Sequence, residues 1–246
     1  MARIFITGST DGLGQMAARE LIEKGHEVYL HARNAARAED ARHALPNATG
    51  VLIADLADPE ATRQLARDAN ATGTFDTVIH NAAVYRAKGP LIATVNVLAP
   101  YLLTCLMDRP DQLIYLSSND HTWGNWKAAE LKRDAPDLTY ADSKLLIAAF
   151  ALAVARKWAA VRANAIDPGW VPTKMGGSGA PDDLQQGYAT QVWLADGTDP
   201  AARISGHYLY HKQDGKLQEA ARDEARQDEL IRICADVTGV TFPGAE

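Results

Sequence analysis

Cysteine is scarce: the chain has two, Cys105 and Cys234, among 246 residues. Two thiols build neither a disulfide framework nor a structural zinc site, which points to a reducing compartment and a cytoplasmic protein. Cationic runs are missing as well. Lysine and arginine total 25 against 31 acids, a net charge of −6 with no polybasic stretch. That balance argues against nucleic acid and anionic membranes as partners. No apolar signal core precedes the first strand. One stretch, Leu91 to Met107, runs 17 residues without a charge. It is short for a membrane span and carries Thr94, Asn96, Pro100 and Thr104, so a buried helix of the domain is expected instead. His207 and His211 would share one face of a last strand, but no acid or cysteine joins them and no metal site is expected.

What is present is an alternation of short apolar runs with helical spacing. Arg3–Thr7, Val28–Leu30, Val51–Ala54, Phe75–His80, Leu113–Leu116, Val161–Ile166 and His207–Tyr210 read as strands. Helices are expected between them, among them 91–107 and 140–158. Strands apolar on both faces need a helical layer on each side. The expected fold is therefore α/β, one doubly wound domain over residues 1–246 with a mostly or wholly parallel sheet of about seven strands. A mobile substrate loop is expected near 174–190, its Gly- and Pro-containing part at 174–181 and a helix beginning near Asp182. A charged helix should follow near 218–235, docked by one apolar stripe.

Two motifs carry chemistry. Tyr140 and Lys144 stand four residues apart, one helical turn, on one face. An ammonium so placed would lower the phenol's pKa, and the phenol could then give a proton to a carbonyl oxygen or take one from an alcohol. Taken alone, the pair is also what an ordinary tyrosine beside a solvated lysine looks like. The second motif is Thr7-Gly8-Ser9-Thr10-Asp11-Gly12-Leu13-Gly14, where a strand turns into a helix. Glycines there allow a tight turn and let a pyrophosphate approach the helix N-terminus.

With these residues and the length of the chain, the sequence resembles the short-chain dehydrogenase/reductase family, in its single-domain branch of Rossmann-type proteins. The resemblance runs over nearly the whole chain. It implies that Gly8 to Gly14 form the cofactor turn, that Asp55 and Leu56 hold the adenine, and that Asn81, Ala82 and Ala83 continue the cofactor wall. His80-Asn81-Ala82-Ala83 departs from the family's Asn-Asn-Ala-Gly. Pro168, Gly169, Val171 and Thr173 match the segment near the nicotinamide, Val171 through its backbone. Tyr140 would be the acid–base residue, and Lys144 would bind the nicotinamide ribose. Ser118 would bond the developing oxyanion, with Ser117 the alternative. Asn96 would hold a water that relays protons to the lysine, or would serve only as a helix-bending hydrogen bond beside Pro100.

The end of the second strand bears on the cofactor. An acid there suits ribose hydroxyls, whereas a 2′-phosphate wants a cation. Ala32 stands at the acid's place and Arg33 follows, so NADP is expected over NAD, with Arg37 a weaker second contact. Asp11 argues the other way, since many NADP-users carry a base there.

Ser118 and Tyr140 are 22 residues apart, longer than is usual in the family. The long loop, with Ser117-Ser118, His121 and Ser143-Lys144-Leu145, resembles the retinol dehydrogenase branch. Trp123 and Trp126 could line a substrate entrance or anchor the loop, and anchoring is the expectation; His121 is expected to fix the loop. The resemblance implies an oxidoreductase for a small carbonyl or alcohol substrate. It also implies a homodimer or homotetramer packed through helices 91–107 and 140–158. A nucleotide-sensing protein without chemistry is the alternative, but such proteins typically lack the tyrosine or the lysine. Epimerases and dehydratases of this kind need a larger C-terminal substrate domain.

Overall fold

Alternation within the first strand already sorts the two faces of the sheet. In β1 (Arg3–Ile6) Phe5 points into one apolar cluster, while Ile4 and Ile6 point into the other. A computed structural model describes residues 1–133 and 135–244 of the chain. β1 lies between β2 (Glu27–Ala32) and β4 (Thr77–His80), with Ile4 in register with Val28 on one side and Thr77 on the other. β3 (Gly50–Ile53) pairs outside β2. On the other flank β5 (Gln112–Leu116), β6 (Arg162–Asp167) and β7 (Tyr208–Tyr210) follow in sequence, giving the order 3-2-1-4-5-6-7. All these neighbours are parallel; a short β8 (Gln213–Asp214) adds antiparallel to β7. The order reverses between β1 and β4, and ligands of such sheets bind at the carboxyl ends there.

Helices α1 (Gly12–Glu23), α2 (Ala35–Ala44) and α7 (Leu184–Asp196) cover the face of Ile4, Ile6, Ile79, Ile114 and Ile166. Helices α3 (Pro59–Ala71), α4 (Gly89–Ala93), α5 (Ala99–Leu106) and α6 (Tyr140–Lys157) cover the face of Phe5, Val78, Leu113 and Tyr115. The charge-free stretch is thus a buried helix packed on α3 and α6.

Four expectations need correction. The helix at 91–107 is not regular: Thr94–Leu98 form a π-turn, in which the N–H of Ala99 reaches the carbonyl of Thr94. Pro100 has no N–H to return to Asn96, and a wider turn relieves that loss. Residues 184–190 are not loop but the start of α7, because the Asp183 carboxylate accepts the Gln186 N–H and caps it. The helix near 218–235 is two, α8 (Glu219–Arg222) and α9 (Glu224–Thr238), broken at Asp223, which caps α9 through the N–H groups of Ala225 and Arg226. His211 lies beyond β7 in a turn at φ 47°, so it shares no strand face with His207, which bonds Asp214 instead. α8 and α9 pack on α6, whose residues Asp142 to Val154 are all buried within the single chain.

Candidate active site

A groove of about 640 Å³ runs along the carboxyl ends of the strands, from Gly8 and Thr10 at one end to Tyr140 and Lys144 at the other. Its first wall is the glycine turn. Gly8 sits at φ 64°, and a Cβ there would lie 2.8 Å from the Ala82 backbone. A Cβ on Gly14 would lie 2.5 Å from Nδ2 of Asn81. Both glycines are therefore demanded by the segment after β4 pressing on the turn. Asn81 fastens the two together: its Nδ2 donates to the carbonyls of Thr7 and Gly8, each at 3.0 Å. Asn81 is thus a strut whose amide N–H groups are spent within the protein. Ser9 is fully buried and likewise turned inward, donating to Ile6 O and accepting the His31 N–H.

Thr10, Asp11, Gly12 and Leu13 line the groove, and the Thr173 methyl lies only 3.9 Å beyond a Cβ built on Gly12. Burial would raise the Asp11 carboxyl, but hydrogen bonds from Arg37 and Lys174 outweigh it and hold the group below the usual range. Arg37 also donates to Thr10. Arg33 lines the same end, and among the described residues no carboxylate lies within 4.0 Å of it. Of the two arginines, the stronger candidate is therefore free and the weaker one engaged. Asp55, Leu56, Ala82 and Ala83 complete the lining, with the Asp55 carboxylate accepting the Ala57 N–H. His31 joins this wall although the sequence did not single it out. Its Nδ1 accepts the Gly8 N–H at 3.0 Å and its Nε2 donates to Ala54 O at 3.0 Å. Burial pushes the imidazole down to about 4, so it stays neutral and braces the turn. The available signal was a histidine inside an otherwise apolar strand end.

At the other end, Pro168 and Thr173 line the groove; Gly169 takes φ 80° and Val171 is buried with its side chain against Gly187. Tyr140 is the first residue of α6. The Thr139 hydroxyl accepts the Asp142 N–H and the Asp142 carboxylate accepts the Thr139 N–H, a capping box that fixes where the helix starts. Lys144, one turn on and 3% exposed, donates to Leu116 O at 2.7 Å, with Nζ 5.2 Å from the centre of the Tyr140 ring. Burial pushes that ammonium down to about 8, against the pull of Asp167 and Asp120. The Tyr140 phenol is pushed up, by burial first and then by the Asp120 carboxylate, while a hydrogen bond with Ser118 opposes the rise. This corrects the expected lowering: Lys144, held on Leu116 O, does not offset the burial of the phenol.

Ser117 lines the groove but is buried and donates to Lys144 O at 2.8 Å, whereas the Ser118 hydroxyl accepts the Asp120 N–H at 3.2 Å. Asn96 is fully committed. Its Oδ1 accepts the Val84 N–H, and its Nδ2 donates to Val84 O and to the Ser143 hydroxyl. The side-chain amide therefore ties the segment after β4 to α6.

The model of the family described as short chain dehydrogenase matches residues 2–97. The short-chain dehydrogenase chyC of Penicillium rubens is 39% identical over 264 residues, covering 99% of this chain and 100% of that protein. The chain belongs to the short-chain dehydrogenase family. It is an oxidoreductase. Retinol dehydrogenase 13 of Mus musculus is a more distant relative, 26% identical over 93% of this chain and 80% of its own length. Among solved structures, a Mycobacterium Paratuberculosis protein superposes with a TM-score of 0.81 at 24% identity, covering 99% of this chain and 95% of its own. That likeness shows the α/β Rossmann-type fold.

In this dehydrogenase the long interval between Ser118 and Tyr140 is a built structure. Two 3-10 turns, Asn119–Trp123 and Ala128–Arg133, occupy it. Asp142 reaches back to the Asn125 N–H and to Lys127 at 3.0 Å, so the loop is fastened to the first turn of α6. His121 is wholly buried. Its Nδ1 donates to Ser118 O, and its Nε2 accepts the Gln218 N–H. Trp126 anchors the loop on α9 through Glu229, but Trp123 is 80% exposed and anchors nothing, contrary to expectation.

Proposed function

We propose that this dehydrogenase uses NADP and moves a hydride between the nicotinamide and the carbon of a carbonyl or secondary alcohol, with Tyr140 as its acid–base residue. The observation that carries the reading is Tyr140 with Lys144 one helical turn on, both on the wall of a groove that starts at the glycine turn. The residues fit a dinucleotide: the gap between Gly12 and Thr173 is open where a side chain would close it, and Arg33, with no carboxylate within 4.0 Å among the described residues, lines the same groove. Bound NADP supplies or accepts the hydride; the chain's part is to place the substrate oxygen and manage its proton. Ser118 and Tyr140 would meet that oxygen together. Lys144 would turn from Leu116 O to the nicotinamide ribose. A phenol raised by burial stays protonated through neutral pH, the form that donates to a carbonyl oxygen, which favours reduction. The rim beside Tyr140 carries Tyr85, edge-on at 4.8 Å, with Leu91 and Met175 lining the groove. It suits a small or medium apolar substrate.

The test is NADPH oxidation across a panel of aldehydes, ketones and quinones. Turnover of at least one class, absent in Tyr140→Phe, is expected; cofactor binding without any turnover would sink the reading. Two further outcomes are expected. Arg33→Ala should lower the NADPH-over-NADH ratio in kcat/KM by roughly 10- to 100-fold, the worth of a charge-assisted hydrogen bond. An unchanged ratio would remove Arg33 from the 2′-phosphate. Ser118→Ala should lower kcat by about 10²- to 10³-fold, as loss of an oxyanion donor does. Ser117→Ala should leave kcat nearly intact and cost about 1 kcal/mol of stability, read by denaturant unfolding. The reverse pattern would exchange the two serines.

A further inference from the structure

Asp11 stands at the N-cap of α1, yet its carboxylate makes no capping bond to that helix. An aspartate at this place ordinarily turns back on the second or third N–H of its helix. Here it gathers cations from two other segments. Nη2 of Arg37, in the first turn of α2, donates to Oδ2 of Asp11 at 2.5 Å. Nζ of Lys174, in the segment after β6, donates to the same oxygen at 3.2 Å. All three residues line the groove, and Lys174 follows Thr173, whose methyl faces Gly12 across it. The pair of Asp11 and Lys174 therefore bridges the groove from one wall to the other.

Two cations on one carboxylate oxygen are one more than its charge requires, and they are held unequally. The Arg37 side chain is 31% exposed and also donates to Thr10. The Lys174 side chain is 80% exposed, and ion pairs so open to water are weak. Lys174 can leave while Arg37 keeps Asp11 paired. The groove itself favours a negative guest: Asp11 and Asp55 line it against Arg33, Arg37, Lys144 and Lys174, in a chain whose net charge is −6. The head of α1, left uncapped by Asp11, adds to that pull. A phosphate group offers more acceptor oxygens than one carboxylate, so it competes well for an exposed ammonium.

We propose that Lys174 is a cofactor-binding residue, held at the groove by Asp11 and handed to a phosphate of the dinucleotide as it binds. The proposal rests on the dinucleotide reading above. It gives Asp11 a use: the carboxylate keeps a flexible, exposed side chain in place in the free protein, and Arg37 neutralises it once that side chain moves on.

Titration calorimetry of the whole protein with NADPH and with NADH tests this by binding alone. Lys174→Met should weaken binding of the preferred cofactor by about three- to tenfold, the worth of an exposed charge-assisted contact. A loss confined to NADPH puts the ammonium on the 2′-phosphate; a loss shared by both cofactors puts it on the pyrophosphate. Asp11→Asn should tighten binding, because the carboxylate no longer competes, and that gain should shrink when Lys174→Met is also present. If Lys174 were only a fixed shield for Asp11, removing it would expose the carboxylate and the gain from Asp11→Asn would grow. A gain that is unchanged or larger in the Lys174→Met background overturns the proposal. So does the lack of any gain in the wild-type background, or a Lys174→Met protein that binds as tightly as wild type. Failure of the wild type to bind either cofactor is a different result, which removes the dinucleotide reading and this proposal with it.

Discussion

Tyr140→Phe is expected to lower kcat by about 10²- to 10⁴-fold, the usual worth of a positioned general acid, and to leave NADPH affinity within about twofold. The Tyr140 side chain lines the groove, and its ring is held edge-on by Tyr85. Phenylalanine keeps that packing and the capping box beneath it, so the loss should fall on kcat. A variant retaining more than a tenth of wild-type turnover would take the acid–base role away from Tyr140. The same measurement over pH has a defined sign. The phenol lies above its ordinary value, so carbonyl reduction should not decline through loss of the Tyr140 proton at neutral pH.

Lys144→Met is expected to remove activity and yet stabilise the cofactor-free protein. Lys144 is buried, with an ammonium pushed down to about 8 from the ordinary 10.5, and it donates a hydrogen bond to Leu116 O. Because the folded-state value is lowered, the charged lysine opposes folding below about pH 8. That cost fades as pH rises from 8 to 10.5, where the unfolded chain also gives up the proton. A shift of that size is worth about 3 kcal/mol; the lost bond to Leu116 O returns about 1 kcal/mol. The variant should thus gain about 2 kcal/mol at pH 7, several degrees in melting temperature for a chain of this length. The gap between the two proteins should close toward pH 10.5. A destabilised variant at pH 7, or a gap that grows with pH, would contradict the burial cost assigned to this lysine.

Much of the fold was legible because its signals are local. Strand runs such as Leu113-Ile114-Tyr115-Leu116, and a glycine turn where a strand meets a helix, follow from period and steric demand on neighbouring residues. The family motifs then placed Tyr140, Lys144 and Ser118 together before any coordinates. What stayed hidden depends on contacts between distant parts of the chain. Nothing near His31 in sequence shows that its ring braces Gly8, and nothing near Asn96 shows that Val84 and Ser143 consume its amide. The protonation of Tyr140 was misjudged for the same reason. Helical spacing puts an ammonium nearby, but the depth of burial and the carboxylate of Asp120 belong to the assembled site. The break at Asp223 was readable in principle, since an aspartate two residues ahead of Ala225 is a capping signal, but the mixed charges around it looked continuous.

The capping box at the head of α6 separates two problems that a long insertion would otherwise confound. Thr139 and Asp142 decide where the helix begins, and so the bearing of the phenol, since each residue of offset swings a helical side chain by about 100°. The length of chain ahead of them decides only which surface overhangs the groove. Loop-closure cost grows slowly with length. A catalytic centre indexed by its own helix start can keep one chemistry while its overhang is rebuilt for another substrate.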